Sequence, residues 1–187
     1  NKCKIKHCDK VIQMGDKPSQ SIRGGKNSSM WNSIESVKSS KAEVAISCGN
    51  TGSLMAISTL LLRKLPEVKR PAIAIFWPST SDQGFNVVLD AGADIKAQPS
   101  DLLAYSNFGT DIFSKVFNKQ RVKVGLLNVG TETHKGNEQL RKASELFIET
   151  FTDGEIEYVG FVEGSDFSSD KADVIVTDGF SGNIALK

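Results

Sequence analysis

The fold is decided by residues 122–147, which read VKVGLLNVGTETHKGNEQLRKASELF. The apolar run Val122–Leu127 predicts a buried strand, and apolar side chains at helical spacing after Gly136 predict a helix. The loop between them, residues 128–135, is polar and contains Gly130. A strand, a polar turn and a helix form part of a βαβ unit, so this segment predicts an α/β protein with a parallel sheet.

The same pattern is repeated on both sides of this segment. Further apolar runs predict strands over residues 44–48, 72–77, 86–90, 156–162 and 174–176. Helical spacing predicts helices beginning after Ser28 or Ser29, over about 53–65, and from Pro99. Residues 1–27 are polar and predict an irregular or edge segment. We expect one α/β domain over 1–187, cut from a longer protein at both ends, with a mostly parallel sheet and helices on both faces.

Composition excludes several classes of protein. The 23 basic and 22 acidic residues give a net charge of +1, which provides no electrostatic basis for binding nucleic acid. No apolar run approaches the ~18 residues of a membrane span, and the polar first residues do not form a signal peptide. Three cysteines are typical of a reducing cytoplasm, and Cys3, His7 and Cys8 do not complete a zinc site. We expect a cytoplasmic protein without a metal.

Four predicted strands end in a small polar turn that contains glycine, at 49–52, 90–93, 128–131 and 178–183. Ligands of open parallel sheets bind beyond the carboxyl ends of the strands. Glycine and helix N-termini allow backbone N–H groups to reach an anion, which favours phosphate, although the same residues also make ordinary tight turns. The candidate phosphate or acyl-phosphate ligands are Asn50, Thr51, Gly52, Asp90, Gly92, Gly130, Gly136, Asp178, Gly179 and Asn183.

The loop after Leu127 carries the densest set of reactive groups. Lys135 is a candidate phosphate ligand, and Asn128 and Asn137 are candidate donors to an oxyanion, so these three are the candidate catalytic residues. Cys48 has no basic neighbour in the sequence, so we expect a small buried side chain and not a nucleophile. The sequence lacks the P-loop, Rossmann and serine-hydrolase motifs.

These turns and the residues around them resemble the bacterial acyl-ACP:phosphate acyltransferases of the PlsX type. The order and spacing of the matching stretches hold along almost the whole chain. Two positions depart from the family, because Cys48 stands where a small residue such as Ala is usual and Asp94 where Asn is usual. The principal matching stretches are 28–30, 47–56, 70–72, 88–93, 124–130, 135–138, 162–164 and 172–187.

The resemblance implies the fold of isocitrate/isopropylmalate dehydrogenases and phosphotransacetylases. It implies transfer of a fatty acyl group from acyl carrier protein to inorganic phosphate, giving an acyl phosphate for phospholipid synthesis without a metal or organic cofactor. It also implies a homodimer and peripheral membrane association through a region outside this sequence. Two alternatives stay open: a short-chain phosphate acetyl- or butyryltransferase that uses coenzyme A, and a non-catalytic scaffold that binds acyl phosphate or carrier protein.

Overall fold

The computed structural model describes residues 3–64, 68–152 and 154–187. The chain divides into two compact units, residues 1–67 and 68–187, which are described separately. The expectation of a single domain stays a prediction.

Three helices form the first unit: α1 (Pro18–Gly24), α2 (Ser29–Lys38) and α3 (Thr51–Leu62). Ser28 caps α2, since its hydroxyl accepts a hydrogen bond from the Trp31 amide at 3.2 Å. The hydroxyl groups of Ser21 and Ser53 lie 2.7 Å apart and link α1 to α3. The apolar core of this unit comprises Met30, Trp31, Ile34, Ile57 and Leu61.

Two expectations for the first unit are wrong. Residues 44–48 do not form a buried strand, and Val44 and Ile46 are 70% and 85% exposed. A strand requires a neighbour to satisfy its backbone groups, and no described strand pairs with this segment. Residues 18–24, expected to be irregular, form α1, because Pro18 occupies the first turn, where its fixed φ favours a helix.

The second unit contains a five-stranded sheet, which confirms the α/β expectation. The strand order is β1-β2-β5-β3-β4, with β1 antiparallel to β2 and the other neighbouring pairs parallel. The elements are β1 (Ala74–Pro78), β2 (Phe85–Leu89), α4 (Pro99–Phe117), β3 (Val122–Leu127), α5 (Glu138–Thr150), β4 (Ile156–Val162), a 3-10 helix (Gly164–Ser168), β5 (Val174–Val176) and α6 (Gly179–Leu186).

Both faces of the sheet are covered, as expected. Val87 and Leu89 point to the face that packs against α4 and α5, because alternate residues of a strand point to opposite faces. Val88 and Ile175 point to the other face, where they pack with Phe167 of the 3-10 helix. Fully burying one such aliphatic side chain contributes about 1.5–3 kcal/mol, so the two apolar layers stabilise the sheet.

The observed bounds of the strands and helices can be compared with the predicted ones. The strands over 122–127, 156–162 and 174–176 match the prediction. Helix α5 begins at Glu138, two residues after the predicted start at about Gly136, because Gly136 has a φ of +84° and Asn137 caps the helix. Helix α3 ends at Leu62, and the predicted end at Leu65 lies outside the described residues. None of the described helices is both long and apolar enough to cross a bilayer.

Candidate functional site

The carboxyl edge of the sheet brings together three of the four polar turns. Asp90 follows β2, Asp178 lies two residues beyond β5, and Asn128 follows β3. These strands are neighbours, with Leu89 and Leu126 both in register with Val176. The three turns therefore lie side by side beyond the sheet, where open α/β folds bind ligands.

Asp90 organises its own turn from a buried position. One carboxylate oxygen accepts hydrogen bonds from the amides of Ile73 and Ala93, both at 2.9 Å, and of Gly92 at 3.1 Å. The other accepts from the Asp94 amide at 2.7 Å. The backbone thus satisfies this buried charge, which gives Asp90 a positioning role. Direct contact between Asp90 and an anion stays a prediction.

The start of α6 packs tightly on the Asp90 turn. The Gly179 amide donates to the carbonyl oxygen of Asp94 at 2.8 Å, and Asp178 caps the helix by accepting from the Ser181 amide at 2.7 Å. A Cβ at Gly182 would overlap the carbonyl oxygen of Asp90. The two turns therefore form one continuous surface, and at least two amides at the start of α6 already donate hydrogen bonds within the protein.

Gly92 and Asn183 lie at the side of this surface. A Cβ built on Gly92 would come within 3.4 Å of the Asn183 amide nitrogen, and Gly92 has a φ of +138°. Asn183 is half-buried on α6. The structure thus brings Asp90, Gly92, Gly179 and Asn183 together, as the shared edge of the sheet predicts.

The second surface is the loop 128–137, which Asn128 holds closed. The Asn128 side chain is buried, accepts from the Val129 amide at 2.9 Å and donates to the Lys135 carbonyl oxygen at 3.1 Å. A Cβ at Gly136 would overlap the Asn128 carboxamide. Asn128 consequently fixes the path of the backbone that carries Lys135.

The ammonium group of Lys135 forms an ion pair with Glu132. Its Nζ lies 2.9 Å from a Glu132 carboxylate oxygen, and both side chains are about half exposed. Hydrogen bonding from Lys135 lowers the pKa of Glu132 below its usual range, so the carboxyl group is charged at neutral pH. A Cβ at Gly130 would contact both side chains, so the pair lies directly over Gly130.

Asn137 stands at the start of α5, next to this pair in the chain. Its side-chain oxygen accepts from the Leu140 amide at 2.9 Å, so it caps the helix. The amide nitrogen of its exposed side chain makes no hydrogen bond to any part of the chain that the structure describes. That N–H group is therefore available to a ligand, while the oxygen of the same side chain fixes its orientation.

Sequence reasoning missed Arg141. Its guanidinium donates to the carbonyl oxygen of Gly136, and the side chain is half-buried. Arg141 lies four residues after Asn137, which places it one helical turn further along the same side of α5, and this spacing is the signal that could have identified it. The loop thus has a second cation that supports its backbone.

A small cavity joins the two surfaces. Its volume is about 170 Å³, and its walls include Ile95, Lys96, Leu102, Asn137, Leu140 and Asp178. Asn137 and Asp178 belong to turns that follow different strands, so the cavity lies at the carboxyl edge of the sheet. The wall of the cavity combines amide, ammonium, carboxylate and apolar groups.

Asp94 belongs to a buried polar cluster beside these turns. The Arg70 guanidinium donates to its carboxylate at 2.7 Å, and Asp94 is buried while Arg70 is half exposed. The Tyr105 hydroxyl donates to the other oxygen at 3.5 Å. Burial, reinforced by the charge of Asp94, raises the pKa of Tyr105 far above its usual range.

The turn 49–52 belongs to the first unit. Asn50 caps α3, accepting from the Ser53 amide at 3.0 Å, and its amide nitrogen donates to the carbonyl oxygens of Gln13 and Asp16, both at 2.9 Å. A Cβ at Gly52 would lie 2.9 Å from Pro18, and Thr51 is exposed. The strand expected to carry this turn to the sheet edge is absent from the described segment 44–48, so anion binding here stays a prediction.

Cys48 is exposed, so the expectation of a buried thiol is wrong. The burial was expected from a strand over 44–48, and without a neighbouring strand the side chain has no apolar layer to enter.

Comparison with known proteins gives a family match over the whole chain. A family model described as "Fatty acid synthesis protein" matches residues 1–187. The chain is 55% identical over 186 residues to a phosphate acyltransferase of Paracoccus denitrificans, and 53% identical to one of Cereibacter sphaeroides. Each match covers 100% of this chain and 50% of the relative. The chain therefore spans about half the length of these curated relatives.

Solved structures with the same fold include two phosphotransacetylases. One from Streptococcus pyogenes has a TM-score of 0.59 at 16% identity. The match covers 83% of this chain and 52% of that phosphotransacetylase. The EutD phosphotransacetylase of Staphylococcus aureus has a TM-score of 0.58 at 17% identity. The match covers 86% of this chain and 54% of that phosphotransacetylase. At these identities the similarity establishes the fold.

Proposed function

The chain belongs to the family of fatty acid synthesis proteins, and from this membership we propose that the protein moves a fatty acyl group from acyl carrier protein to inorganic phosphate. The relatives that bear the name phosphate acyltransferase support the reaction class. The carrier protein as acyl donor is the more specific part of the proposal.

One observation carries the proposal: the loop 128–137 presents a cation and an available amide close together in sequence on a fixed backbone. Buried Asn128 holds the loop, Lys135 provides the positive charge, and Asn137 keeps an N–H group available while it caps α5. A lysine ammonium binds phosphate as a point charge. A preorganised amide donor stabilises an oxyanion.

The reaction needs positioning more than it needs a nucleophilic side chain. A phosphate oxygen attacks the thioester carbonyl carbon, and the electron pair of the C=O bond moves to the oxygen. When the carbonyl re-forms, the C–S bond breaks, a C–O–P linkage remains, and the thiolate of the donor takes up the proton that the attacking hydrogen phosphate carried. Lys135 holds the phosphate, the Asn137 amide donates to the oxyanion, and Asn128 keeps both in place.

A second candidate is a short-chain transferase that takes its acyl group from coenzyme A. The two phosphotransacetylases share the fold of this chain, which is the observation that favours it. The cavity of about 170 Å³ lined by Leu102 and Leu140 is the candidate position for the first carbons of either acyl group. The two candidate functions therefore differ in the acyl donor, which is acyl carrier protein in the first and acyl-coenzyme A in the second.

The test uses purified full-length protein with inorganic phosphate and either a long-chain acyl carrier protein or a short-chain acyl-coenzyme A. The proposal expects acyl phosphate and free carrier thiol in equal amounts, with the carrier-protein donor strongly preferred. Preference for the coenzyme A donor would establish the second candidate. Absence of acyl phosphate with both donors would contradict an enzymatic role and favour a binding scaffold.

Lys135→Ala tests the residue assignment in the same assay. Loss of one such group typically lowers kcat about 10²–10³-fold. Lys142→Ala is the matched control, because Lys142 is an exposed lysine of α5, seven residues after Lys135, that pairs with Glu138 at 2.6 Å. Equal activity in the two variants would show that Lys135 has no special role.

We further propose a homodimer that associates peripherally with the membrane through a region outside this sequence. Sedimentation of the full-length protein with and without phospholipid vesicles tests both points. A monomer that stays in the supernatant would contradict them.

A further inference from the structure

The Lys135–Glu132 pair has a feature that the proposed reaction does not use. The only side-chain partner that the structure gives Lys135 within the described residues is Glu132, at 2.9 Å. Glu132 lies in the same loop, three residues before Lys135, and its carboxylate occupies one side of the ammonium group. A carboxylate and a phosphate present the same chemistry to a lysine, since both are oxyanions that accept N–H hydrogen bonds.

We propose that Glu132 is an internal competitor for phosphate, which displaces the Glu132 carboxylate from Lys135 when it binds. This inference rests on the proposed function, because it assigns a second role to the lysine of that site. Glu132 then determines the range of phosphate concentrations over which the protein responds.

The energetics of the pair permit such an exchange. Both side chains are about half exposed, at 43% for Lys135 and 50% for Glu132, and an exposed ion pair contributes little to stability. Breaking the Lys135–Glu132 ion pair therefore costs little free energy when phosphate binds. The freed Glu132 carboxylate is solvated by water, so no unpaired charge is left buried.

The geometry also allows Glu132 to move without disturbing the loop. The path of the loop depends on main-chain and Asn128 contacts, including the hydrogen bond from the Lys135 amide to the Glu132 carbonyl oxygen at 3.0 Å. The Glu132 carboxylate makes its ion pair with Lys135 from an exposed position. Loss of that contact leaves the backbone that supports Lys135 intact.

The test is Glu132→Gln in the full-length protein, which keeps the size of the side chain and removes its charge. The phosphate KM is expected to fall about two- to fivefold, the range that a weak exposed ion pair predicts. Glu138→Gln is the matched control, because Glu138 is an equally charged neighbour whose cation partner is Lys142, at 2.6 Å. Its phosphate KM is expected to stay unchanged.

A double variant separates competition at Lys135 from general repulsion of phosphate. In a Lys135→Ala background, Glu132→Gln is expected to leave the phosphate KM unchanged, because the two changes act through one contact. An unchanged or raised KM in Glu132→Gln alone would overturn the proposal, as would an equal fall in Glu138→Gln or in the double variant. Wild-type protein that makes no acyl phosphate would instead contradict the proposed function. Equilibrium binding of inorganic phosphate to the same variants would then test the competition separately.

Discussion

The side-chain amide nitrogen of Asn50 lies 2.9 Å from the main-chain carbonyl oxygen of Asp16. The same nitrogen donates to Gln13, and the Asn50 side-chain oxygen caps α3. One buried carboxamide therefore joins the helix start to the loop before α1, using its donor and its acceptor together.

Asn50→Asp is expected to destabilise the protein by about 1–3 kcal/mol, although Asp caps a helix as well as Asn does. The carboxylate cannot donate to the carbonyl oxygens of Gln13 and Asp16 and leaves them facing a negative charge. Urea unfolding measures the change. Asn137→Asp is the control for stability, since Asn137 uses only its oxygen as a cap, and equal losses in the two variants would refute this account.

Gly136→Ala is expected to disrupt the loop that carries Lys135. Gly136 and Gly160 both have a φ of +84°, but only at Gly136 would a Cβ overlap another side chain, that of Asn128. Gly160→Ala is expected to cost about 1–2 kcal/mol from backbone conformation, and Gly136→Ala about 1–3 kcal/mol more. Urea unfolding and phosphate KM are the measurements, and identical effects of the two changes would contradict the role of Asn128.

Arg70 and Asp94 are expected to be coupled. Arg70→Ala leaves the buried Asp94 carboxylate without its ion partner and should cost about 1–3 kcal/mol. In an Asp94→Asn background the same change should cost less, by about 1 kcal/mol, because a neutral amide does not need a cation. A double-mutant cycle in urea gives this coupling directly, and strictly additive losses would show that the pair contributes nothing.

Tyr105 is expected to make stability fall at alkaline pH. Its folded pKa is raised by burial and by Asp94, whereas an unfolded tyrosine titrates near pH 10. The stabilisation is therefore complete below about pH 10 and decreases above it, by at most about 1.4 kcal/mol per pH unit. Tyr105→Phe should flatten this decrease in unfolding experiments, leaving the part that comes from Tyr158, whose pKa burial also raises. An unchanged slope would contradict the burial of the hydroxyl.

Cys48→Ala is expected to retain activity within a few-fold. Cys48 is exposed, and within the described residues no hydrogen bond or ion pair joins its thiol to a basic group that could activate it. Acyl transfer to phosphate in the variant is the measurement. Mass spectrometry of wild-type protein quenched during turnover should find no acyl group on Cys48, and an acylated Cys48 would establish a covalent route.

The sequence by itself determined the sheet and the position of its carboxyl edge. The mainly apolar runs Val122–Leu127 and Val174–Val176 lie in the interior of the sheet, and polar turns follow both, so local pattern and tertiary structure agree. Because parallel strands end at one edge, the pattern also predicted that the turns at Asp90, Asn128 and Asp178 lie side by side.

Only the tertiary structure decided what each polar side chain does at that edge. Asp90 and Asn128 look like ligands in the sequence, yet the backbone engages Asp90 fully and Asn128 closes its own loop. The apolar run over 44–48 has the pattern of a strand and lacks a described neighbour to pair with. Composition and spacing specify which groups are present. The partner of a hydrogen-bonding group depends on which backbone and side-chain atoms the folded chain brings within about 3 Å, and residues distant in sequence provide many of those atoms.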